Sequence, residues 1–436
     1  MRDRLPDALA RRIPEGLTRR LPEGLTRRLP DSITRPQALI AAALVVVAVA
    51  AVLVTRGGDD GKPSVMEAGA QRTAERRTSF LARLIPPPAE RSRAGTGVPR
   101  SVSDLVKRIP SQRKVAQLFL FGFQGKDLNS AVFRQLRRLD LGGLVIDSAN
   151  YTDPQQLGSL AGEAGLIARQ QKHVPPWVLA SQEGGAFNVF PDLPPANVAS
   201  DLPSVEAAVR EAGQTGATLK PIGINGTLSP VIDVGLAADP AVGPRAYSDE
   251  PRRVADYARG VVQAYRRKRL FAAVKHFPGL GSASQSTEEG PANVGQSLPE
   301  LRSRDLVPFL AAIEAGAPGV VLSHGLYATD DFVTPGSLSK TVTTDLLKRA
   351  LQFKGIAITD DLADPPITAL GSIPDAAVKA VQAGADMLYI SGRAGDQQAA
   401  YVAVLRAVRK GEITRRRLDE ALLRILSVKR DYGLIR

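Results

Sequence analysis

Cysteine is absent from the 436 residues, which removes disulfides, thiolate metal sites and a thiol nucleophile from consideration. That absence leaves the compartment open, because a domain of this size needs no covalent staples. Aromatic residues are scarce at 5%, with a single tryptophan. No basic stripe interleaved with aromatics occurs, so nucleic acid is not an expected partner. A glycine-rich phosphate loop and a His-x-x-x-His metal pair are also missing, so a reaction without metal or cofactor is expected. Histidine occupies three positions only, His173, His276 and His324.

What is present is aliphatic and basic. Hydrophobic residues make up 44% of the chain and the formal net charge is +13. Part of the arginine sits in an N-terminal arm and part in the last expected helices. The excess reads as a solvated basic surface, or as attraction to anionic lipid or cell wall.

Residues 1–37 form that arm. LPDALARR, IPEGLTRR, LPEGLTRR and LPDSITRP follow one another with a period of eight, and proline in every unit argues against one long helix. A basic arm at an anionic membrane face fits this pattern. Residues 38–54 are uncharged and wholly apolar, long enough for a short transmembrane helix. The arginine lies before the segment, and Asp59 and Asp60 follow it. The positive-inside rule then predicts a single-pass protein of the cell membrane, with a cytoplasmic N-terminus and everything later outside. A cleaved signal peptide is the rival reading. Residues 55–101, with Pro86-Pro87-Pro88 and Gly57-Gly58, read as a flexible linker.

From residue 102 to 436, short apolar runs alternate with helical patterns. Strands are expected at Ala116–Phe121, Gly143–Asp147, Trp177–Ser181, Thr227–Ile232, Ala272–Lys275, Gly319–Ser323, Ile356–Thr359 and Met387–Ile390. Between them, Ser297 to Glu300 reads as a capping box, Ser248 with Pro251 opens a helix, and Thr414 caps the last one. Eight strand–helix units predict an α/β fold, a (β/α)8 TIM barrel, with a doubly wound open sheet as the alternative.

In such a barrel the site lies where the strands end. Those ends carry Ser181-Gln182-Glu183, Asp233 with Arg245 in the next loop, Lys275-His276, His324, and Asp360-Asp361. The stretch AVKHFPGLGSASQSTEEG from Ala273 to Gly290 is the most informative. An apolar run stops at a lysine and a histidine, then gives way to a Ser- and Gly-rich loop ending in two carboxylates.

At this level of detail the chain resembles the N-terminal domain of glycoside hydrolase family 3, in its single-domain β-N-acetylhexosaminidase form. The resemblance rests on QLFLFGFQG (Gln117–Gly125), LGGLVIDSANY (Leu141–Tyr151), SQEGG (Ser181–Gly185), SPVIDV (Ser229–Val234), GPRAYSDE (Gly243–Glu250), KHFPGLG (Lys275–Gly281), GIAITDDLA (Gly355–Ala363) and AGADMLYI (Ala383–Ile390). It implies retaining hydrolysis of a β-linked amino sugar or glucoside, with Asp360 as nucleophile. It implies further that Arg245, Lys275 and His276 hydrogen-bond sugar hydroxyls.

The sequence departs from the family pattern in three places. Ser181 stands where an aspartate binds substrate, and the arginine that usually follows is replaced near Ala186. The Asp–His acid/base pair expected after KHFPG is replaced by Ser286-Thr287-Glu288. A carboxylic acid needs no orienting partner as an imidazole does, so Glu288, or Glu289 beside it, is expected to protonate the leaving oxygen. The sequence stops at Arg436, so no second domain is expected to supply the acid. A sugar-binding barrel without turnover is the second reading, and an unrelated barrel enzyme such as a lyase the third.

Overall fold

The computed structural model describes residues 98–330 and 332–436. The expected arm (1–37), the apolar segment (38–54) and most of the expected linker lie outside the described residues. Among the described residues no helix is long and apolar enough to cross a membrane.

All eight expected strands form. They are β1 (Phe119–Phe121), β2 (Gly143–Ile146), β3 (Trp177–Ala180), β4 (Gly226–Thr227), β5 (Phe271–Phe277), β6 (Gly319–Leu322), β7 (Ile356–Thr359) and β8 (Leu388–Ile390). Every pairing is parallel, and the order runs β8-β1-β2-β3-β4-β5-β6-β7. The seam between β7 and β8 is held by one parallel bridge, Ile358 to Met387. Bonds from Asp386 N and Met387 N to Ala357 O, at 2.7 and 3.0 Å, reinforce it. The barrel is thus nearly closed, and because β8 also pairs with β1 the open-sheet alternative is excluded. The strands read as unbroken apolar runs because a parallel sheet under helices is buried on both faces.

Most strand limits shift by a residue or two, and the two larger shifts, in β1 and β4, have local reasons. Residues Ser111–Ala116 are helical, so β1 starts later than its apolar run. In β4, Pro230 has no N–H to give to the ladder, and regular pairing stops at Thr227, with a lone bridge from Val231 to Lys275 resuming it. The helix expected to open at Ser248 begins at Pro251, with Glu250 in the capping position. Thr414 Oγ1 accepts from Arg417 N at 3.1 Å, and Ser297 with Glu300 forms the expected capping box.

The bottom of the barrel is built from buried charge. Lys429 Nζ donates to Gln117 Oε1 and to Gly142 O, both at 2.9 Å. Asp386 takes Lys348 at 2.6 Å and Arg417 at 2.7 Å. The top is roofed by the loop after β5. A small apolar cluster that includes Leu280, Ala283, Ala292, Val294 and Tyr327 sits beneath that loop, and a two-stranded parallel patch, Asn293–Val294 with Leu326–Tyr327, ties it down. Gly281 is required here, because a Cβ would collide with the Val234 carbonyl.

Candidate active site

β5 brings Lys275 and His276 to the top of the barrel, where both are buried. Lys275 Nζ lies 2.5 Å from Glu183 Oε1, and Arg245 closes on the same carboxylate with Nε at 2.6 Å and Nη2 at 3.3 Å. One buried carboxylate therefore sits between two cations from different loops. Burial alone would raise the Glu183 carboxyl, but the fields of Arg245 and Lys275 reverse that and hold it at about 2. The Arg245 guanidinium, disfavoured by burial, is in turn held charged chiefly by Glu183. It also lies 6.0 Å above the Phe187 ring.

Asp233 organises the histidine. Its Oδ2 takes His276 N at 3.0 Å and sits 2.7 Å from His276 Nδ1, while its Oδ1 takes Leu280 N at 2.7 Å. The other ring nitrogen, Nε2, points at Asp360 Oδ2 from 3.8 Å. Asp360, at the end of β7, has a side chain 20% exposed and so opens to the cleft. Burial would raise its carboxyl, yet the fields of His276, His324, Lys275 and Arg245 leave it below the ordinary aspartate range. It is an ionised carboxylate in a largely dry, cationic setting.

His324 supports this wall from beneath. Its Nε2 lies 2.8 Å from the Asp361 carbonyl, which can only accept, so Nε2 carries the hydrogen. Nδ1 lies 2.7 Å from Ser337 Oγ. Burial pulls its pKa down, against the field of Asp360. The Asp361 carboxylate turns away from the cleft and takes Ala363 N and Ser391 N, both at 2.9 Å. Its part is to shape the loop after β7.

The expected residues thus meet as one set. His276 meets Asp360 at 3.8 Å, Lys275 and Arg245 meet on Glu183, and Ser181 Oγ stands 3.5 Å from Lys275 Nζ. Glu288 lies at the rim, its side chain 74% exposed and Oε1 4.0 Å from Arg245 Nη1. Sequence reasoning missed the clamp that Glu183 forms between Lys275 and Arg245. Among the described residues no group of three His, Asp or Glu side chains is placed to hold a metal ion.

A parallel barrel whose strand ends gather an ionised carboxylate, two imidazoles and a clamped pair of cations has the frame of an enzyme acting on a polar, hydroxyl-rich substrate. The chain matches the glycosyl hydrolase family 3 N terminal domain over residues 111–428, and it belongs to that family. It is 30% identical over 267 residues to a β-hexosaminidase of Nitrosomonas eutropha, covering 59% of this chain and 75% of that protein. A solved family 3 β-N-acetylglucosaminidase from Paenibacillus sp. str. FPU-7 superposes with a TM-score of 0.72 at 29% identity, over 75% of this chain. This chain spans 63% of that enzyme's length. A β-N-acetylhexosaminidase from Beutenbergia cavernae gives 0.67 at 25% identity, over 74% of this chain and 98% of the other. The protein is a glycosyl hydrolase, β-N-acetylhexosaminidase-like in sequence and fold.

Proposed function

We propose that this protein is a retaining β-glycosidase that removes terminal β-linked N-acetylhexosamine or a related glucoside, such as one derived from peptidoglycan. The carrying observation is Asp360: a carboxylate at a strand end, open to the cleft and kept ionised by the histidines and cations around it. In the first step an Asp360 oxygen bonds to the anomeric carbon while an acid protonates the departing oxygen. Water then hydrolyses the glycosyl ester. Lys275, Arg245 and His276 hold the sugar hydroxyls, with Ser181 at the edge of that set. The sequence names Glu288 as the acid.

The test is hydrolysis of aryl β-N-acetylglucosaminide and aryl β-glucoside by wild type, Asp360→Asn and Glu288→Gln. Asp360→Asn should lose at least about 1,000-fold in kcat, a loss of the size seen when a reacting group is removed. Full activity of that variant would remove Asp360 from the mechanism. A second reading, sugar binding without turnover, is favoured by Ser181 in place of a carboxylate and by the exposure of Glu288. It requires glycan binding that Lys275→Ala abolishes, with no turnover at any pH.

We also propose that residues 38–54 anchor the enzyme in the cell membrane, N-terminus inside and barrel outside. The apolar run and the arginine-rich flank before it support this. The barrel should resist alkaline carbonate extraction of membranes and be digested by protease added to spheroplasts.

A further inference from the structure

We infer that a groove at the bottom of the barrel, walled by Arg108, Arg113, Lys172 and His173, binds the phosphate headgroups of anionic phospholipid and seats the barrel on the membrane with its cleft turned away. This rests on the anchor reading, which brings the barrel to a membrane, and not on the hydrolase reading.

The groove lies at the end opposite the cleft. Val174 and Pro175 lead into the start of β3, and Arg113 comes before β1. In a parallel barrel the strand starts lie on the face away from the site. The volume is about 310 Å³. Its floor is apolar, with Ile109 and Val174 buried and Leu105 and Ile435 packed against them. Helix Arg100–Arg108 makes one wall. The other is the end of helix Pro154–Gln171, which Lys172 closes in the left-handed conformation before the chain turns through His173. The walls are held in place: Arg113 Nη2 donates to Lys172 O, and Val174 N to Asp140 Oδ1, both at 2.9 Å.

The charge around this floor is one-sided. Arg113 is taken by Asp140, 2.6 Å away, whose side chain is wholly buried. Asp104, on the same helix as Arg108, pairs with Lys107 at 3.6 Å. Arg108 itself has only a long bond, 3.3 Å, to the Asp104 carbonyl. Among the described residues no carboxylate forms an ion pair with Arg108, Lys172 or His173. Arg108 and Lys172 are both exposed. Two exposed cations without acids over an apolar floor complement a phosphate ester that carries hydrocarbon, its phosphate on Arg108 and Lys172 and its first methylenes on Leu105, Ile109 and Ile435. Free phosphate would leave the floor unused.

The course of the chain agrees with this. Val98 stands two residues before helix Arg100–Arg108, and that helix packs through Val102 and Val106 onto Leu422 and Leu426 of the last helix, at this same end. The chain coming from residues 38–54 therefore enters the barrel domain on its bottom face. A long linker alone leaves the barrel free to turn, and the groove supplies the preference. Each lysine or arginine near an anionic leaflet strengthens association about fivefold, so Arg108 and Lys172 together favour the seated barrel about 25-fold. Seated in this way, the cleft opens away from the bilayer.

The test uses the full chain, which has no cysteine of its own, so a single fluorophore can be attached at a chosen place. One form carries Gln112→Cys, exposed beside Arg113. The other carries Leu236→Cys, exposed in the loop after β4 at the opposite end. Each is reconstituted into vesicles of phosphatidylcholine, alone or with phosphatidylglycerol, that contain a headgroup-nitroxide lipid as quencher. The label at 112 should be quenched with phosphatidylglycerol and not without it, and the label at 236 in neither case. Arg108→Glu combined with Lys172→Glu should lower the seated fraction at least about 25-fold. Sodium chloride at about 1 M should release the unaltered barrel, which repeats the test without any risk to folding. Equal quenching at 112 in both vesicles, quenching at 236, or quenching that survives charge reversal and salt overturns the proposal. So does its loss on adding inorganic phosphate at constant ionic strength, which would make the groove a free-phosphate site. A chain that does not float with the vesicles after alkaline carbonate removes the anchor and the docking together. One that floats without lipid-dependent quenching removes the docking alone.

Discussion

Asp233 and Asp360 face each other across one imidazole, with Asp233 Oδ2 2.7 Å from His276 Nδ1 and Asp360 Oδ2 3.8 Å from Nε2. Asp233 fixes the ring and, through Leu280 N, the start of the loop after β5. An asparagine there keeps the shape but has one acceptor oxygen, so its NH2 must face either His276 N or Leu280 N, which can only donate. A charge-assisted hydrogen bond is worth about 1.5–3 kcal/mol, so Asp233→Asn should lower kcat/KM about 10- to 100-fold. Wild-type kinetics would mean that His276 needs no such support.

Among the described residues, Glu183 is the sole carboxylate in direct contact with both Lys275 and Arg245. Removing one member of a buried ion cluster leaves uncompensated charge and commonly destabilises by about 3–5 kcal/mol. Glu183→Gln should show that loss by chemical denaturation at pH 7. The sign with pH follows from the depressed native value. The contribution is complete above about 4.5, the unfolded value, and is lost as pH falls toward about 2. Wild type and variant should therefore converge in acid. A constant gap down to pH 2 would contradict the ion-pair account.

Much of this site could be read before any fold was in hand, because strand ends announce themselves. Lys275-His276 and Asp360-Asp361 each break an apolar run, and a barrel turns such breaks into neighbours. The pairing of Glu183 with two cations could not be read, since it depends on how three loops fold over β3, β4 and β5. The extent of β4 was overread because the apolar run continues through Pro230, which ends the ladder. The role of Gln117 was invisible because its partner, Lys429, lies on the last helix.

That last pair makes a prediction about stability alone. Lys429 is fully buried beneath the barrel, and burial, only partly offset by Asp140, lowers its ammonium from 10.5 to about 7. Between about pH 7 and 10.5 the unfolded chain holds this proton and the native one does not. Native stability should therefore rise with pH across that window, and the penalty should be complete below 7. A shift of about 3.5 units corresponds to at most about 5 kcal/mol. Lys429→Met removes the titration but strands Gln117 Oε1 and Gly142 O, each worth about 1–3 kcal/mol. Wild type should consequently gain on Lys429→Met as pH rises from 7 to 10, measured as the difference in unfolding free energy from urea titrations. A difference that stays flat over that range would mean that the lysine remains charged inside the protein, held by Asp140 and the Gly142 carbonyl.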